Sequence, residues 1–466
     1  MKIVLILLKR KIKKSNLFFN LEKTFLFFYF ICIVNGQVVD IGIHIFDNKN
    51  PPFWLKSNVR GLYKNGPLVS IKADDELKFL TYGIKALIPE NNKPHLSQLF
   101  FKKNIYDFML KFGFGGNINT NVLSSGSLVE SFNAPPIPKV LLETDSFKGI
   151  NFFKNHIFYK AIFAQGWFLN SGYVKDPMLH EKSLILKKEF SVDSFIRLEL
   201  KHMVVWGGET KEFGPQPSTF NEFLKVFFAL PGGRNSIHQE QENSLGNHLG
   251  SWKLIYRNKI LEFYLEHPFE DESGARWVLN EFDGLYGINI KQKEASYISN
   301  FTYEYLNTMD QSGSSGASDS TYGWDNYYNH YLYQSGWTNN GRVIGNPLFT
   351  LGTNKGRYSD GNYIINNRLK AHHFGFQGQI FKKIYYKTLF TYSQNFGIYP
   401  DKDYFKSKGL VYRFDGGLIQ RSGLIELMIK NIFSDVDLSL GYGFDNGELL
   451  NKTDSFMLKI NHKFEI

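Results

Sequence analysis

The stretch VDLSLGYGF, residues 436–444, decides the fold class of this chain. Its apolar side chains occupy every second position, so in an extended strand they share one face, opposite Asp437, Ser439 and two glycines. The same period of two recurs in IRLELKHMV (196–204), where the polar face carries full charges. Further alternating stretches occur at 286–291, 301–306 and 456–464. The pattern predicts an all-β protein built from amphipathic strands.

The connections between these strands fall into two lengths. Short turns are predicted at 191–194, 256–259, 291–294 and 381–383, and long irregular segments at 207–248, 268–283 and 307–366. Short turns at one end and long loops at the other predict a transmembrane antiparallel up-and-down β-barrel of about 16 to 18 strands, with short helical plug or lid segments. The alternative is a soluble β-sandwich, which usually has shorter strands and fewer aromatic residues than the 17% found here.

The number of strands should be even if both chain ends lie in the periplasm. The alternation gives about 15 or 16 strands from residue 77 onward, and a further strand at 342–351 would make an odd number even. Residues 68–466 are assigned to the barrel. Residues 37–67, which contain NKNPPFW (48–54), form either a periplasmic lead-in or a first strand.

The N-terminus predicts export. Basic residues precede the apolar run FLFFYFICIV (25–34), which is too short to span a bilayer but typical of a signal peptide, here residues 1–36 with Gln37 as the mature N-terminus. Cys32 is the one cysteine, so the mature chain would have neither disulfides nor thiolate metal sites. Without residues 1–36, which carry seven basic residues and Glu22, the net charge falls from +10 to +4. This charge gives little reason to expect nucleic acid as a partner.

No local signature of catalysis is found. The chain has no G-x-S-x-G, no H-E-x-x-H and no phosphate-binding glycine loop. His372 and His373 should point to opposite faces of a strand, one to the lumen and one to the outer interface, which disfavours a shared metal. LSSGS (123–127) and QSGSSGASDS (311–320) have the composition of flexible loops. We therefore predict a non-enzymatic protein with no cofactor and no metal.

A helix is predicted within residues 206–233. Phe220, Phe223, Leu224, Phe227 and Phe228 recur at helical spacing after a glycine turn. Such a loop helix should fold against or into the barrel mouth, as a plug or lid.

The segment WDNYYNHYLYQSGWTNNGRVIGNPLF, residues 324–349, lies in the longest predicted loop. Exposed Trp and Tyr side chains are unfavourable there unless they pack inside or bind something. Aromatic faces stack on sugar rings, and Asn, Asp, Arg and His side chains form the directional hydrogen bonds that glycans need. The alternative is that the aromatic residues wedge the loop into the lumen while the polar groups satisfy buried backbone. The residue chemistry favours neither over the other.

This segment, together with HHFGFQG (372–378) and WGGETKEFGPQPSTFNEFLKVFFA (206–229), resembles the capsule assembly Wzi family, in the branch common among Bacteroidetes. The resemblance extends from about residue 70 to the C-terminus. It implies an outer-membrane barrel of about 18 strands that acts as a non-enzymatic lectin and helps attach capsular or another surface polysaccharide to the cell.

From these patterns we predict a cell outer membrane protein that binds surface polysaccharide. The other predicted partners are outer-membrane lipid and lipopolysaccharide and, during biogenesis, the barrel-assembly machinery, which would recognise the terminal strand KINHKFEI (459–466). The alternative function is a porin or substrate-selective channel with lumen-facing Arg197, Glu199 and Lys201. The predicted glycan-binding residues are Trp324, Asp325, Tyr327, Tyr328, Asn329, His330, Trp337, Arg342 and Asn346, with Trp206 and Glu209 as a second cluster.

Overall fold

The computed structural model describes residues 38–63, 67–77, 79–90, 93–116, 121–150, 157–169, 172–270, 282–292, 296–311, 325–352, 363–398, 413–433 and 435–465. Eighteen antiparallel strands form a closed barrel. They are β1 Val38–Phe46, β2 Leu68–Leu77, β3 Leu80–Pro89, β4 His95–Ile105, β5 Phe108–Phe114, β6 Lys139–Thr144, β7 Ile157–Trp167, β8 Met178–Ser191, β9 Ser194–Trp206, β10 Asn247–Arg257, β11 Leu261–Phe269, β12 Gly284–Lys291, β13 Asn300–Asn307, β14 Leu369–Phe381, β15 Ile384–Gly397, β16 Arg413–Phe433, β17 Val436–Gly447 and β18 Thr453–Glu465. A two-residue strand, Lys148–Gly149, also pairs with β7.

The first and last strands close the barrel. β1 pairs with β18 over its whole length, from Val38 opposite Glu465 to Phe46 opposite Met457. Every other strand pairs with the strand before and after it in the chain, so neither side of the sheet has an unpaired edge. Closure satisfies the backbone groups that an open sheet would leave exposed to lipid.

The two ends of the barrel differ as the sequence predicts. At one end, the turn end, strands are joined by short turns such as residues 192–193 between β8 and β9. The other end, the loop end, carries the long connections 207–246 between β9 and β10 and 308–368 between β13 and β14. Val38 and Glu465 both lie at the turn end.

The predicted extra strand at 342–351 is wrong. Arg342–Val343 pairs with Thr338–Asn339 in a small hairpin of its own, and Thr350–Gly352 pairs with Tyr363–Asn366. Neither pair joins the barrel wall. The strand number is even without them, because sixteen strands follow residue 77 and two, β1 and β2, precede it.

The polarity of the wall is the reverse of that in a water-soluble protein. In β17, Ser439 and Asp445 are buried toward the lumen, whereas Leu440 on the opposite face is 48% exposed. The neighbouring strand shows the same arrangement with Phe456, which is 59% exposed. An outward apolar band around a polar lumen is the pattern of a barrel that faces lipid.

The described residues contain three short helices, α1 Phe53–Lys56, α2 Phe220–Phe228 and α3 His238–Glu242. None of the helices in these ranges is long and apolar enough to cross a membrane. α1 contributes buried Trp54 and Leu55 to the lumen, where Trp54 Nε1 donates to Thr391 Oγ1 at 3.0 Å. The helix predicted within 206–233 is present as α2, but it packs on the outer face of the wall rather than in the mouth, because its apolar partners Val204 and Trp206 point outward.

Candidate functional site: the plugged loop end

Two segments fold inward from the loop end and fill the lumen there. We call residues 121–138 and 325–349 together the plug. Its apolar core is continuous with lumen-facing side chains of the wall, such as Met203 of β9 and Leu249 of β10. The largest fully buried side chains of the described chain include four from the second segment, Tyr327, Tyr328, Trp337 and Phe349.

Hydrogen bonds join the two plug segments to each other. The Trp337 Nε1 group donates to the Val129 carbonyl at 2.8 Å, and Asn133 Nδ2 donates to the Val343 carbonyl at 2.9 Å. The backbone N–H of Ser131 donates to the Ile344 carbonyl at 2.8 Å. The segments therefore form one unit although about 200 residues separate them in the chain.

Tyr328 lies at the centre of this unit. Its hydroxyl donates to the Leu128 carbonyl and accepts from the Asn346 N–H at 3.0 Å, and its ring packs edge-on against Phe349 with centroids 4.3 Å apart. A Cβ atom at Gly345 would lie 2.1 Å from this hydroxyl. Glycine is required at this position because the backbone approaches the tyrosine too closely for any side chain.

Two carboxylates of the barrel wall hold the first plug segment. Glu304 of β13 accepts from the Ser124 hydroxyl at 2.5 Å and from the Ser125 N–H at 2.6 Å. Glu266 of β11 accepts from the Ser127 hydroxyl at 2.6 Å and from the Leu128 N–H at 2.9 Å. These charge-assisted bonds satisfy backbone groups that enter the lumen without a strand partner.

An ion-pair cluster fastens the plug on another side of the lumen. Glu130 of the plug contacts Lys139 of β6 at 3.3 Å and Lys201 of β9, and both ammonium groups also contact Glu181 of β8. Burial by itself raises the pKa of Glu130, but the two ammonium groups outweigh burial and hold that pKa well below its ordinary value. The carboxylate is therefore charged over the physiological pH range.

Asp283, which precedes β12, holds the second segment. Its carboxylate accepts from the N–H groups of Asp310 at 2.9 Å and Gln311 at 2.7 Å and from the Tyr327 hydroxyl at 3.1 Å. Burial raises the pKa of Asp283 to about 7, and these three donors only partly oppose the shift. Asp283 therefore titrates near neutral pH in the folded protein.

His330 is held in its neutral form. Its Nδ1 accepts from the N–H groups of Leu332 at 3.2 Å and Tyr333 at 3.3 Å. Its Nε2 lies 3.8 Å from Glu240 Oε1, but burial lowers the pKa of His330 to about 3 and raises the pKa of Glu240. Because both shifts favour neutral forms, this contact is not an ion pair. Glu240 instead accepts from the Tyr331 hydroxyl at 2.6 Å.

The remaining predicted residues of the motif also contact protein groups. Arg342 donates to the carbonyls of Lys56 at 2.7 Å and Tyr63 at 2.5 Å, which ties the hairpin to the segment around α1. Asn329 Nδ2 donates to the Ile364 carbonyl at 2.9 Å, and Asn346 Nδ2 to the Gly126 carbonyl at 2.6 Å. These contacts correspond to the wedge alternative of the sequence analysis, in which polar groups satisfy buried backbone.

The structure brings together most of the predicted glycan-binding residues, and it buries them. Six of them, Asp325, Tyr327, Tyr328, Asn329, Trp337 and Asn346, are each less than one tenth exposed, whereas His330 and Arg342 are partly exposed. Trp324 lies outside the described residues. Glycan contact by this set stays a prediction.

The predicted second cluster lies elsewhere. Trp206 is 3% exposed and packs on the outer wall against Val226 of α2. Glu209 is exposed, and its backbone pairs with Lys175 through hydrogen bonds of 2.8 and 2.9 Å. Trp206 therefore faces away from the plug core, although the next residue contacts the plug, since the Tyr333 hydroxyl donates to the Gly207 carbonyl at 3.2 Å.

Sequence reasoning missed the first plug segment. LSSGS (123–127) has a flexible composition, yet these serines are fixed by Glu266 and Glu304, and the expectation of a flexible loop is wrong there. The signal available in the sequence was Glu304, the one charged residue of the strand NFTYEYLN (300–307), since a buried carboxylate needs hydrogen-bond donors.

The two adjacent histidines point in opposite directions, as predicted. His373 faces the lumen, where its ring nitrogens contact Thr391 Oγ1 at 2.7 Å and the Leu123 carbonyl at 2.8 Å. His372 faces outward and contacts the Tyr303 hydroxyl at 2.8 Å. Within the part of the chain that the structure describes, no three His, Cys, Asp or Glu residues are placed to hold a metal ion.

The fold and the filled lumen define the class of this protein, a plugged outer-membrane β-barrel. The sequence of residues 69–354 matches the family model of the capsule assembly protein Wzi, and the chain belongs to that family. None of the curated proteins matches the chain.

Among solved structures, the barrel is similar to Wzi from Escherichia coli, an outer membrane protein involved in group 1 capsule assembly that is described as a carbohydrate-binding β-barrel. The TM-score is 0.59 at 13% identity, over 92% of this chain and 85% of that one. OccAB2 from Acinetobacter baumannii gives a TM-score of 0.47 at 10% identity, over 92% of this chain and 98% of that one. A BenF-like porin from Pseudomonas fluorescens Pf-5 gives 0.42 at 8% identity, over 93% and 98%.

Proposed function

We propose that this protein binds capsular or another surface polysaccharide at its loop end and helps to attach or assemble it at the cell surface, without catalysing a reaction. The observation that carries the proposal is the plug. Because two segments joined by hydrogen bonds fill the lumen, the loop end offers a fixed surface on which an extended polymer can lie. Membership of the Wzi family supports the same function.

Within this proposal, the buried motif acts by shaping the surface, and accessible residues beside it make the sugar contacts. Tyr173 is half-buried, its N–H donates to Ser335 Oγ of the plug at 2.6 Å, and its hydroxyl donates to the exposed carboxylate of Glu212 at 2.9 Å. A tyrosine ring beside a carboxylate supplies both stacking and hydrogen bonding to a sugar. The half-exposed Asn340 lies in the turn of the plug hairpin, where φ is 51°.

The alternative function is a porin or selective channel. This function is consistent with charged side chains that face the lumen toward the turn end, such as Arg197, which pairs with Glu199 at 2.6 Å. Charged side chains in a lumen tune ion conduction. Conduction would require the plug to move, since Glu130, Glu266 and Glu304 all fasten it to the wall. Single-channel recording in planar bilayers separates the two functions, because a plugged glycan-binding barrel should be silent.

The direct test is binding of the purified, detergent-solubilised barrel to surface polysaccharide extracted from its own host, with unrelated glycans as controls. We expect selective binding that Tyr173→Ala weakens about tenfold or more, as loss of one stacked ring and its hydrogen bond would do. Tyr106→Ala is the matched control, because Tyr106 is 97% exposed in a turn at the opposite end. A folded, heat-modifiable barrel that does not bind its host polysaccharide would contradict the proposal.

A further inference from the structure

Helix α2 differs from the plug because it lies on the outside of the barrel, whereas α3 of the same segment 207–246 contacts the plug through Glu240 and Tyr331. In β9 the lumen-facing side chains Met203 and Val205 belong to the plug core, whereas Val204 and Trp206 alternate with them and point outward. Helix α2 lies against this outward pair. It therefore rests on the wall of the barrel at the loop end, next to the band that faces lipid.

One side of α2 is fixed to the wall. Val226 is fully buried against Val204 and Trp206. Phe223 and Phe227 each lie 5.4 Å, centroid to centroid, from the ring of His180 on β8. The Lys182 ammonium group of the same strand donates to the Phe227 carbonyl near the end of the helix and lies 4.4 Å from that ring's centroid. These contacts determine which side of the helix faces away from the barrel.

The side that faces away carries an apolar stripe. Phe220, Leu224 and Phe228 follow one another at intervals of four residues and are 71%, 38% and 63% exposed. Leu230, just beyond the helix, is 49% exposed. Exposing so much apolar surface to water on one short helix is energetically unfavourable.

A third side of α2 is polar. Glu222 and Lys225 lie one turn apart on this side, with 3.9 Å between the ammonium nitrogen and a carboxylate oxygen. The helix thus has a face for the wall, a face of apolar side chains and a face for water. This division is typical of helices that lie in the plane of a membrane interface.

The outward residues of the adjacent strands continue the apolar stripe. Phe163 of β7 is 39% exposed and contacts Phe227 at 6.4 Å between ring centroids. Leu184 of β8, Leu198 of β9 and Leu254 of β10 are 44%, 38% and 46% exposed on the same outer face, further toward the turn end. The apolar surface of α2 is therefore joined to the lipid-facing band through Phe163.

We propose that α2 is a membrane-interface helix, which inserts Phe220, Leu224 and Phe228 among the acyl chains at the boundary of the lipid leaflet on the loop-end side. The partner is the lipid itself. The helix then serves as an anchor outside the barrel, which extends the lipid contact of β8–β10 and fixes the height of the loop end above the bilayer. This proposal does not depend on glycan binding.

The test uses spin labels at single cysteines in a Cys32→Ser background, since Cys32 is the one cysteine of the sequence. Labels are attached to Leu224→Cys and Phe228→Cys on the apolar stripe and to Glu222→Cys on the polar face. Leu184→Cys, on the lipid-facing wall, is the reference for full lipid exposure. Each variant is reconstituted in vesicles of phosphatidylethanolamine and phosphatidylglycerol, and heat modifiability confirms that the barrel is folded.

The measurement is relaxation of each label by oxygen, which concentrates in lipid, and by a neutral nickel chelate, which stays in water. We expect oxygen to dominate at positions 224 and 228, as at 184, and the chelate to dominate at 222. Equal access of the chelate to 228 and 222 would overturn the proposal. Dipolar broadening at 228 that grows with protein density would also overturn it, since a second copy of the chain would then cover the stripe.

Discussion

The plug segment 325–349 and helix α2 belong to two long, aromatic connections at the same end of the barrel, and they lie on opposite sides of its wall. The connection that carries α2 then returns to the plug, where Glu240 of α3 accepts from the Tyr331 hydroxyl. The plug segment carries its aromatic rings among Asn, Asp and His side chains, and it enters a lumen lined by carboxylates and polar groups. Helix α2 is amphipathic with few polar groups, and it lies on an apolar outer wall. The comparison teaches that hydrogen-bonding capacity, more than aromatic content, decides on which side of a barrel wall a loop is buried.

The largest effect is expected from removing the central side chain of the plug. Trp337→Ala deletes a fully buried indole and its bond to Val129, which should destabilise the plug by about 3–5 kcal/mol while the barrel stays closed. Planar-bilayer recording should then show channel openings that the unaltered protein lacks. Trp167→Ala, at a 44% exposed outward position of β7, is the control and should leave conductance unchanged. If the Trp337→Ala barrel showed no channel openings, closure of the lumen would not depend on the Trp337 side chain.

The next effect is a pH dependence of the second plug segment. Burial raises the pKa of Asp283 to about 7 in the folded state, above the ordinary value of 3.8. The folded state therefore binds the proton more tightly, so the stabilisation is complete below about pH 4 and is lost as pH rises toward 7. Between these limits, the equilibrium constant for local opening of the hydrogen bonds to Asp283 should increase by up to about tenfold per pH unit. Hydrogen exchange of the Asp310 and Gln311 amides, corrected for intrinsic rates, measures it.

Asp283→Asn is the control for this pH dependence. The amide side chain keeps the shape but does not titrate, so the pH dependence of exchange at Gln311 should flatten. If the slope persisted in Asp283→Asn, another group would be responsible.

A smaller effect is expected when one of the wall carboxylates is removed. Glu304→Ala leaves the Ser125 N–H without its acceptor, which should destabilise the first plug segment by about 1–3 kcal/mol. Faster hydrogen exchange confined to residues 121–131 is the expected result. Glu189→Ala, at the turn end of β8, serves as the matched change and should leave that exchange as it is.

The smallest effect should come from helix α2. Val226→Ala removes two methyl groups from the contact with Val204 and Trp206, which should weaken the docking of α2 by about 1–2 kcal/mol. Conductance and the exchange of the plug amides should not change, since the barrel wall separates α2 from the plug and the contact of Glu240 in α3 with Tyr331 is left intact. Limited proteolysis around α2 measures the loosening. Channel openings in Val226→Ala would refute the independence of α2 and the plug.

The sequence by itself determined the barrel. Alternation in stretches such as VDLSLGYGF (436–444), short turns such as 191–194 and the helical spacing of the apolar residues in α2 are all local patterns, and the structure contains each of them. The contrast between long loops and short turns predicted the two ends. Periodicity is a local property of the backbone, so it can be recognised without knowledge of the partners.

Only the tertiary structure decided where the loops go. Nothing within 324–349 distinguishes a glycan-binding loop from a lumen wedge, because the same Trp, Tyr and Asn side chains suit both. The decision comes from residues far away in the chain, such as Val129, which accepts the Trp337 bond, and Glu304, which holds Ser125. The same holds for α2, whose apolar faces do not reveal whether the lumen or the outer wall is their partner. Burial depends on the full set of donors, acceptors and apolar surfaces that meet at one place, and that set exists only once the barrel has closed.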